Sequence, residues 1–478
     1  MKFHGRERQK KQIHKLFQSE RQETILIYGR RRIGKSELIK QCLKETKIRS
    51  IYFECKQTSE LNNVESLAEI VSERFAYPQL AYKGMEALLK FLYEKAWDEK
   101  VILVLDEYPY LRENVKEMDS ILQALIDGNR DASGMKLILC GSYVDTMKGL
   151  LSGQNPLFGR VDLTIDLKPM DYFESALFYT EFSDEDKVRL YSVFGGVPYY
   201  NRLIDSGETV RENIMRLIAS PGARLENEVS MYLSSEISRI TNANEVFETL
   251  AKGFSRYKEI LDQSHVSSGP TLVDVLDKLI RMDVVKKEAP INDENNRKKA
   301  GYVISDNLSL FYYKYIFGNI SRMNIMDTED FCRRYIWDDF EIKHVPRAFE
   351  EICRQYLIRC NRAGMLEEPF EKIGKYYYDD QTNRKNGEFD IVTLDARGYI
   401  FYEAKFRKEP VTDGMIREEM EQVRSAGLPC YKFGFFSRSG FRCAKREDTV
   451  LIELGELYQD VRGRHNGGTE TGQAVSGT

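Results

Sequence analysis

The sequence predicts an α/β protein of several domains, and three observations predict it. Apolar runs at Ile25 to Tyr28, Val101 to Leu105 and Leu137 to Cys140 stop at Gly29, Asp106 and Gly141. Continuous apolar runs of that length suit buried parallel strands. After Pro346 a second pattern reads helix, strand, strand, strand, helix, strand, with the last helix over Val411 to Ala426. Between the two lies text with helical spacing and only short strands. A chain of 478 residues exceeds one ordinary domain. The expected division is an α/β core over 1–170, a helical segment over 171–240, helices with short strands over 241–325, a second α/β domain over 326–462 and a small-residue, polar, disordered tail over 463–478.

Composition narrows the class. Charged residues are 31% and the net charge is -4, so no global polyanion-binding signal exists and any nucleic-acid contact must use local patches. No apolar run is long enough to span a bilayer, and MKFHGRERQKK lacks the apolar core of a signal peptide. The eight cysteines include no C-x-x-C pair, and several fall within apolar runs. They read as reduced core residues of a cytoplasmic protein rather than disulfides or zinc ligands.

The first run opens a nucleotide site. Gly29-Arg30-Arg31-Arg32-Ile33-Gly34-Lys35-Ser36 fits G-x-x-x-x-G-K-[ST], placed between a strand and a helix. The glycines let backbone N–H groups turn onto phosphates, aided by the helix N-terminus. Lys35 would reach the β- and γ-phosphates of ATP, and Ser36 would hold Mg²⁺. Asp106 would accept from a Mg²⁺-bound water, and Glu107 would polarise the attacking water. Acids at the carboxyl end of such a strand face the ligand crevice of an open α/β sheet. Ser142, ending the third run, would contact the γ-phosphate or the water. Arg160 is a candidate for stabilising charge on the phosphoryl group, with a surface ion pair as its alternative.

FHGRERQKKQIHKLF, IYGRRRIGKSEL, LVLDEY, LCGSYVDTM, PLFGR and FGGVPYY follow in an order that resembles the archaeal-type ATPases, in the STAND branch of AAA+-like P-loop proteins. The resemblance covers roughly the first two-thirds of the chain. It implies a nucleotide-binding core, a helical lid over 171–240 and a winged helix over 241–325. It also implies that Gly5-Arg6-Glu7 lies near the nucleotide base, that Ser142 is a sensor, that Arg160 is an arginine sensor or finger, and that Gly195-Gly196-Val197-Pro198 marks the lid. Arg30, Arg31 and Arg32 stand at variable positions and are assigned no chemistry.

The segment over 241–325 has two readings. Arg297, Lys298 and Lys299 in its polar wing would bind DNA, or the module would relay the nucleotide state. Asp274, Asp277 and Asp283 stand beside Lys278 and Arg281, and mixed charge is poor for phosphate contact, which favours the relay.

The last domain carries a second constellation. Strand side chains alternate, so Tyr399, Phe401, Glu403 and Lys405 share one face and Ile400, Tyr402, Ala404 and Phe406 the other. The turn Asp395-Ala396-Arg397-Gly398 folds the preceding run back and brings Asp390 toward Glu403. Converging carboxylates repel unless a cation joins them, and such hard oxygen ligands suit Mg²⁺ or Mn²⁺. Phe349, Ile352, Cys353, Tyr356, Leu357 and Cys360 form one helical stripe, with Glu350 at its edge and Glu351 opposite, toward water. A hairpin with a solvated charged face is the alternative. The element order resembles the PD-(D/E)XK nuclease superfamily, an α/β restriction-endonuclease-like fold. Asp390 and Glu403-Ala404-Lys405 match its D…ExK motif, Glu350 its helical acid and Gln422 an accessory position. The domain is also similar to the C-terminal domain of uncharacterised function that follows many archaeal-type ATPases. The resemblance implies a metal held by Glu350, Asp390 and Glu403, with Lys405 assisting attack on a phosphodiester of DNA or RNA.

Two functions stay open: an ATPase coupled to a metal-dependent nuclease-like domain, or an ATP-dependent switch whose last domain binds a partner or DNA without cutting. Neither reading requires a membrane, and a homo-oligomer is compatible with both.

Overall fold

A computed structural model describes residues 3–78, 81–229, 231, 242–296, 298–380 and 385–460. The chain divides into two compact units, one of residues 1–170, 197–202 and 281–283, the other of 171–196, 203–280 and 284–478.

The first unit is a five-stranded sheet of β1 (Glu23–Tyr28), β2 (Arg49–Glu54), β3 (Val101–Asp106), β4 (Lys136–Gly141) and β5 (Leu163–Asp166), in the order β2-β3-β4-β1-β5. Every pairing is parallel. β3 and β4 are buried along their whole length, as expected of strands covered on both faces. Leu26, Ile51, Phe53, Leu103, Leu105, Leu137 and Leu139 pack in one cluster with Val64 and Leu67 of helix Glu60–Phe75 and Leu88 and Leu92 of helix Met85–Lys95. Because the strands run the same way, the turns after β1, β3 and β4 gather along one edge of the sheet. β2 and β5 lack the continuous apolar run that marks the other three strands.

The second unit begins with helices Tyr172–Ala176, Asp184–Phe194 and Val210–Leu217. Helices Ala243–Ala251, Tyr257–Gln263 and Gly269–Arg281 then lead into an antiparallel hairpin, β6 (Val285–Glu288) with β7 (Gly301–Ile304). Arg297, expected in the tip of this hairpin, lies outside the described residues. A long helix, Val345–Arg362, precedes a mixed sheet of β8 (Lys372–Asp380), β9 (Lys385–Asp395), β10 (Gly398–Lys405), β12 (Cys430–Ser437) and β14 (Thr449–Glu453). Two short strands, β11 (Val411–Thr412) and β13 (Phe441–Arg442), pair separately. The large sheet has the order β14-β12-β10-β9-β8, antiparallel on the β8–β9–β10 side and parallel from β10 onward.

Helices cover both faces of this sheet. Phe401, Phe433, Phe435 and Val392 pack with Ile416, Met420 and Val423 of helix Asp413–Ser425. The opposite face meets helix Val345–Arg362 through the ring contacts Tyr356–Phe436 and Phe349–Phe406. The buried stripe of that helix is Phe349, Ile352, Cys353, Tyr356, Leu357 and Cys360, as its spacing predicts, with Val345 one turn earlier. All eight cysteines are free. Among the described residues no helix is long and apolar enough to cross a membrane.

Candidate functional site

The turn after β1 enters helix Lys35–Lys44 through Gly34, whose φ of 90° is left-handed and easy only for glycine. Gly29 is fixed by space: a Cβ there would stand 2.4 Å from the Leu167 carbonyl oxygen. Lys35 is buried inside the turn. Its Nζ donates to the carbonyls of Gly29 at 2.8 Å and Arg30 at 3.1 Å, and to Ser142 Oγ at 3.0 Å.

β4 lies between β1 and β3, so its end brings Ser142 between the lysine and the acids of β3. Ser142 Oγ donates to Glu107 Oε1 at 2.5 Å, and the Ser142 amide donates to Glu107 Oε2 at 3.2 Å. Glu107 itself is left-handed (φ 52°, ψ 44°), a sparse conformation for a residue with a Cβ. Ser36 Oγ donates to Asp106 Oδ2 at 2.6 Å. Tyr52 donates to the same oxygen, and the Glu107 amide to Asp106 Oδ1 at 3.0 Å. Burial alone would raise the Asp106 carboxyl. Hydrogen bonds from Cys140, Ser36, Tyr52 and the Glu107 amide outweigh it and hold the group below the usual carboxylate range. The Ser36 hydroxyl donates a hydrogen bond to Asp106 and keeps its lone pairs free to face a hard cation such as Mg²⁺. Lys35, Ser36, Asp106, Glu107 and Ser142 are thus brought together, with Gly29 and Gly34 shaping the turn.

Arg6 lies against the turn, within 3.5 Å of the Ile33 carbonyl. Pro198 stands 3.7 Å from where a Cβ on Gly34 would be, and Arg32 stacks on Tyr199 at 4.2 Å. Arg160 lies apart from these residues. It precedes β5, whose first residue Leu163 pairs with Ile25, whereas the phosphate turn follows Tyr28 at the other end of β1. Its guanidinium forms a fork with Asp127, at 2.9 and 2.7 Å, and donates to the Pro156 and Phe158 carbonyls. Arg160 therefore does not join the nucleotide site of its own chain.

The second constellation sits around β8, β9 and β10. Gly374 pairs with Val392 and Tyr376 with Phe389, so β8 advances two residues while β9 advances three. Lys375 thus faces both Asp390 and Ile391 across a β-bulge, a device that re-aims a side chain and is frequent beside active sites. Lys375 Nζ pairs with Asp390 at 2.6 Å and with Glu388 at 3.0 Å. On β10, Lys405 Nζ pairs with Glu403 at 2.7 Å and with Glu419 of helix Asp413–Ser425 at 3.0 Å. The Glu350 carboxyl is pushed up to about 8 by burial first and then by the charge of Asp390, with Glu403 adding to the rise. Burial raises the Glu403 carboxyl too, against the pull of Lys405.

The charges of Asp390 and Glu403 both bear on Glu350, and the oxygens of the three acids suit a hard divalent cation in kind and in charge. They do not fit one as a finished cluster. Among the described residues no three His, Cys, Asp or Glu side chains are gathered closely enough to hold a metal ion. Asp390 and Glu403 are each drawn to a lysine instead. Two further expectations are corrected. Gln422 is exposed and donates to Tyr378 at 3.3 Å, while Glu419, one turn earlier, meets Lys405. Glu351 does not stand free in water: Arg354 bonds it, and Lys286 of β6 lies 3.7 Å away. Lys375 and Glu419 carry no signal in the sequence. Their roles depend on cross-strand register and helix docking, which short spacings do not carry.

Comparison with known proteins separates the two halves. Residues 3–203 match the family described as "ATPase domain predominantly from Archaea". Residues 312–422 match one described as "Archaea bacterial proteins of unknown function". An uncharacterized protein of Methanocaldococcus jannaschii is 26% identical over 468 residues, 95% of this chain and 100% of that relative. Among solved structures, a Walker-type ATPase of Pyrococcus abyssi is similar with TM-score 0.51 and 17% identity, covering 65% of this chain and 96% of that one. The Aeropyrum pernix ORC2 protein, in ADPNP-ADP complexes, gives TM-score 0.44 at 13% identity over 63% of this chain and 88% of its own, too loose a likeness to argue from. Residues 3–203 thus form a P-loop ATPase domain of the archaeal type, followed by a domain whose family has no assigned function.

Proposed function

We propose that the protein is a Mg²⁺-dependent ATPase whose C-terminal domain acts on nucleic acid as a PD-(D/E)XK-like phosphodiesterase. The ATPase reading is carried by the convergence of Lys35, Ser36, Asp106, Glu107 and Ser142 at one edge of the parallel sheet. Lys35 would neutralise β- and γ-phosphate oxygens, the backbone amides of the turn would cradle them, and Ser36 with Asp106 would hold Mg²⁺. Glu107 would orient the attacking water, with Ser142 fixing the carboxylate. Calorimetric titration with ATP and Mg²⁺ tests this, and Lys35→Ala should abolish the binding heat. Unchanged affinity in that variant would reject the assignment.

The nuclease reading is supported by the Glu403–Lys405 pair on one face of β10 and by the charges of Asp390 and Glu403, which both raise the buried Glu350 carboxyl. When bound there, a divalent cation supplies activated water and charge neutralisation at phosphate. The chain's own part is to aim the three carboxylates and to keep Lys405 beside Glu403. One observation favours a second reading. Lysines already balance Asp390 and Glu403, as they would in a domain that binds a partner without cutting. Mn²⁺ titration of the protein without nucleotide, set against Asp390→Asn, tests the cation site: binding that needs Asp390 supports the nuclease reading, and binding absent from wild type and from Lys375→Met alike supports the switch.

A further inference from the structure

The hairpin of β6 and β7 grips both elements that flank the C-terminal carboxylates. Beyond β6, the Ile291 amide donates to the Lys375 carbonyl at 2.8 Å. Asn292 brackets the next outward-facing peptide: its Nδ2 donates to the Tyr377 carbonyl at 2.8 Å, and the Tyr377 amide donates to its Oδ1 at 3.2 Å. β8 is the edge of its sheet, and this segment covers its open backbone groups with one main-chain bond and two bonds from the Asn292 side chain. The approach is close. A Cβ on Gly374 would meet Ile291 Cγ2 at 2.8 Å, and Ile291 shares the apolar cluster of Tyr376, Phe389 and Phe401. Lys299 and Arg256 stack on the Tyr377 ring at 4.7 and 5.5 Å. From β6 itself, Glu288 pairs with Arg354 at 3.4 Å and Lys286 approaches Glu351 at 3.7 Å, both on the helix that carries Glu350.

The residue this segment pins, Lys375, is the one that faces the β9 bulge and neutralises Asp390. We propose that the hairpin is a clamp on the carboxylate site. By fixing β8 it keeps Lys375 on Asp390, and its withdrawal frees Asp390 to join Glu350 and Glu403 around a divalent cation. The clamp rests on the reading of these carboxylates as a cation site, and it accounts for their failure to converge. It also gives the three-helix module a way to transmit a change in its own position to a phosphodiester site.

The test is Mn²⁺ affinity of the full chain without nucleotide, measured by calorimetry and by paramagnetic relaxation of water. Asp390→Asn supplies the background from the phosphate loop. Lys375→Met removes the competing charge, and Asn292→Ala loosens the clamp while leaving Lys375 in place. Lys375→Met should bind Mn²⁺ at least ~10-fold tighter than wild type, about 1.4 kcal/mol. Asn292→Ala should bind ~3-fold tighter or more, and Lys375→Arg should stay as weak as wild type. Equal affinity in wild type, Lys375→Met and Asn292→Ala overturns the clamp and leaves the cation site standing. No Asp390-dependent binding in any of them overturns both.

Discussion

Replacing Ser142 with alanine tests the chain of contacts from Lys35 to Glu107. The hydroxyl is buried, donates to Glu107 Oε1 at 2.5 Å and accepts from Lys35 Nζ at 3.0 Å. Both bonds involve ionised partners, and each such bond contributes ~1.5–3 kcal/mol net. The loss is partial, because Lys35 keeps the Gly29 and Arg30 carbonyls and Glu107 keeps the Ser142 amide. Unfolding free energy should therefore fall by ~1–3 kcal/mol. Because the ammonium stays in the turn, ATP affinity should change by less than about 3-fold. Glu107 loses its shortest anchor, so single-turnover hydrolysis should slow ~10–100-fold, about 1.4–2.8 kcal/mol of barrier. Calorimetry, urea unfolding and single-turnover ATP hydrolysis read the three quantities separately. Hydrolysis within about 2-fold of wild type, beside a real stability loss, would refute the reasoning and leave Ser142 a purely structural residue.

Other expectations follow from the same geometry. Lys35→Ala should lower ATP affinity by at least ~100-fold, since it removes charge-assisted bonds to phosphate; filter binding checks it. Glu107→Gln should bind ATP normally and hydrolyse it ~100-fold more slowly or worse; parallel loss of binding would make Glu107 structural. Lys298→Ala with Lys299→Ala should leave the salt dependence of DNA binding unchanged, because Lys299 is engaged by Asp293 at 3.0 Å and by the Tyr377 ring. A slope reduced by about 2 would show that both grip phosphate. Burial would raise the Glu288 carboxyl, but Arg354 and Lys286 hold it down at about 2. Its folded value is depressed, so its contribution is present above the unfolded value near ~4.3 and is lost as pH falls toward about 2. Glu288→Gln should be less stable by on the order of 2–3 kcal/mol at neutral pH, with the difference closing over that acid window in urea melts.

Much of the ATPase site was legible in the sequence because it is local. A buried strand, a glycine turn and a helix start lie within a dozen residues, and Asp106 and Ser142 each end a continuous apolar run. β2 and β5 are not legible for a physical reason. β2 begins and ends on exposed charged residues, and β5 has only four residues, LTID. Arg160 stands near the phosphate motifs in order but is held by Asp127. In the last domain, alternation correctly put Glu403 and Lys405 on one face, since β10 is regular there. It cannot find Lys375, because the extra residue of the bulge shifts which side chains meet across β8 and β9. The docking of Ile291 and Asn292 on β8 joins segments about 85 residues apart and leaves no mark in local spacing.

The central claim, that an ATPase carries a metal-dependent phosphodiester site, is tested most directly by one cleavage measurement. Wild type and Asp390→Ala are incubated with Mn²⁺ and ATP on labelled single-stranded DNA, double-stranded DNA and RNA. Wild type should cut at least one substrate, and Asp390→Ala should cut none while keeping its ATP hydrolysis. Wild type that leaves every substrate intact, or Asp390→Ala that cuts as well as wild type, would contradict it.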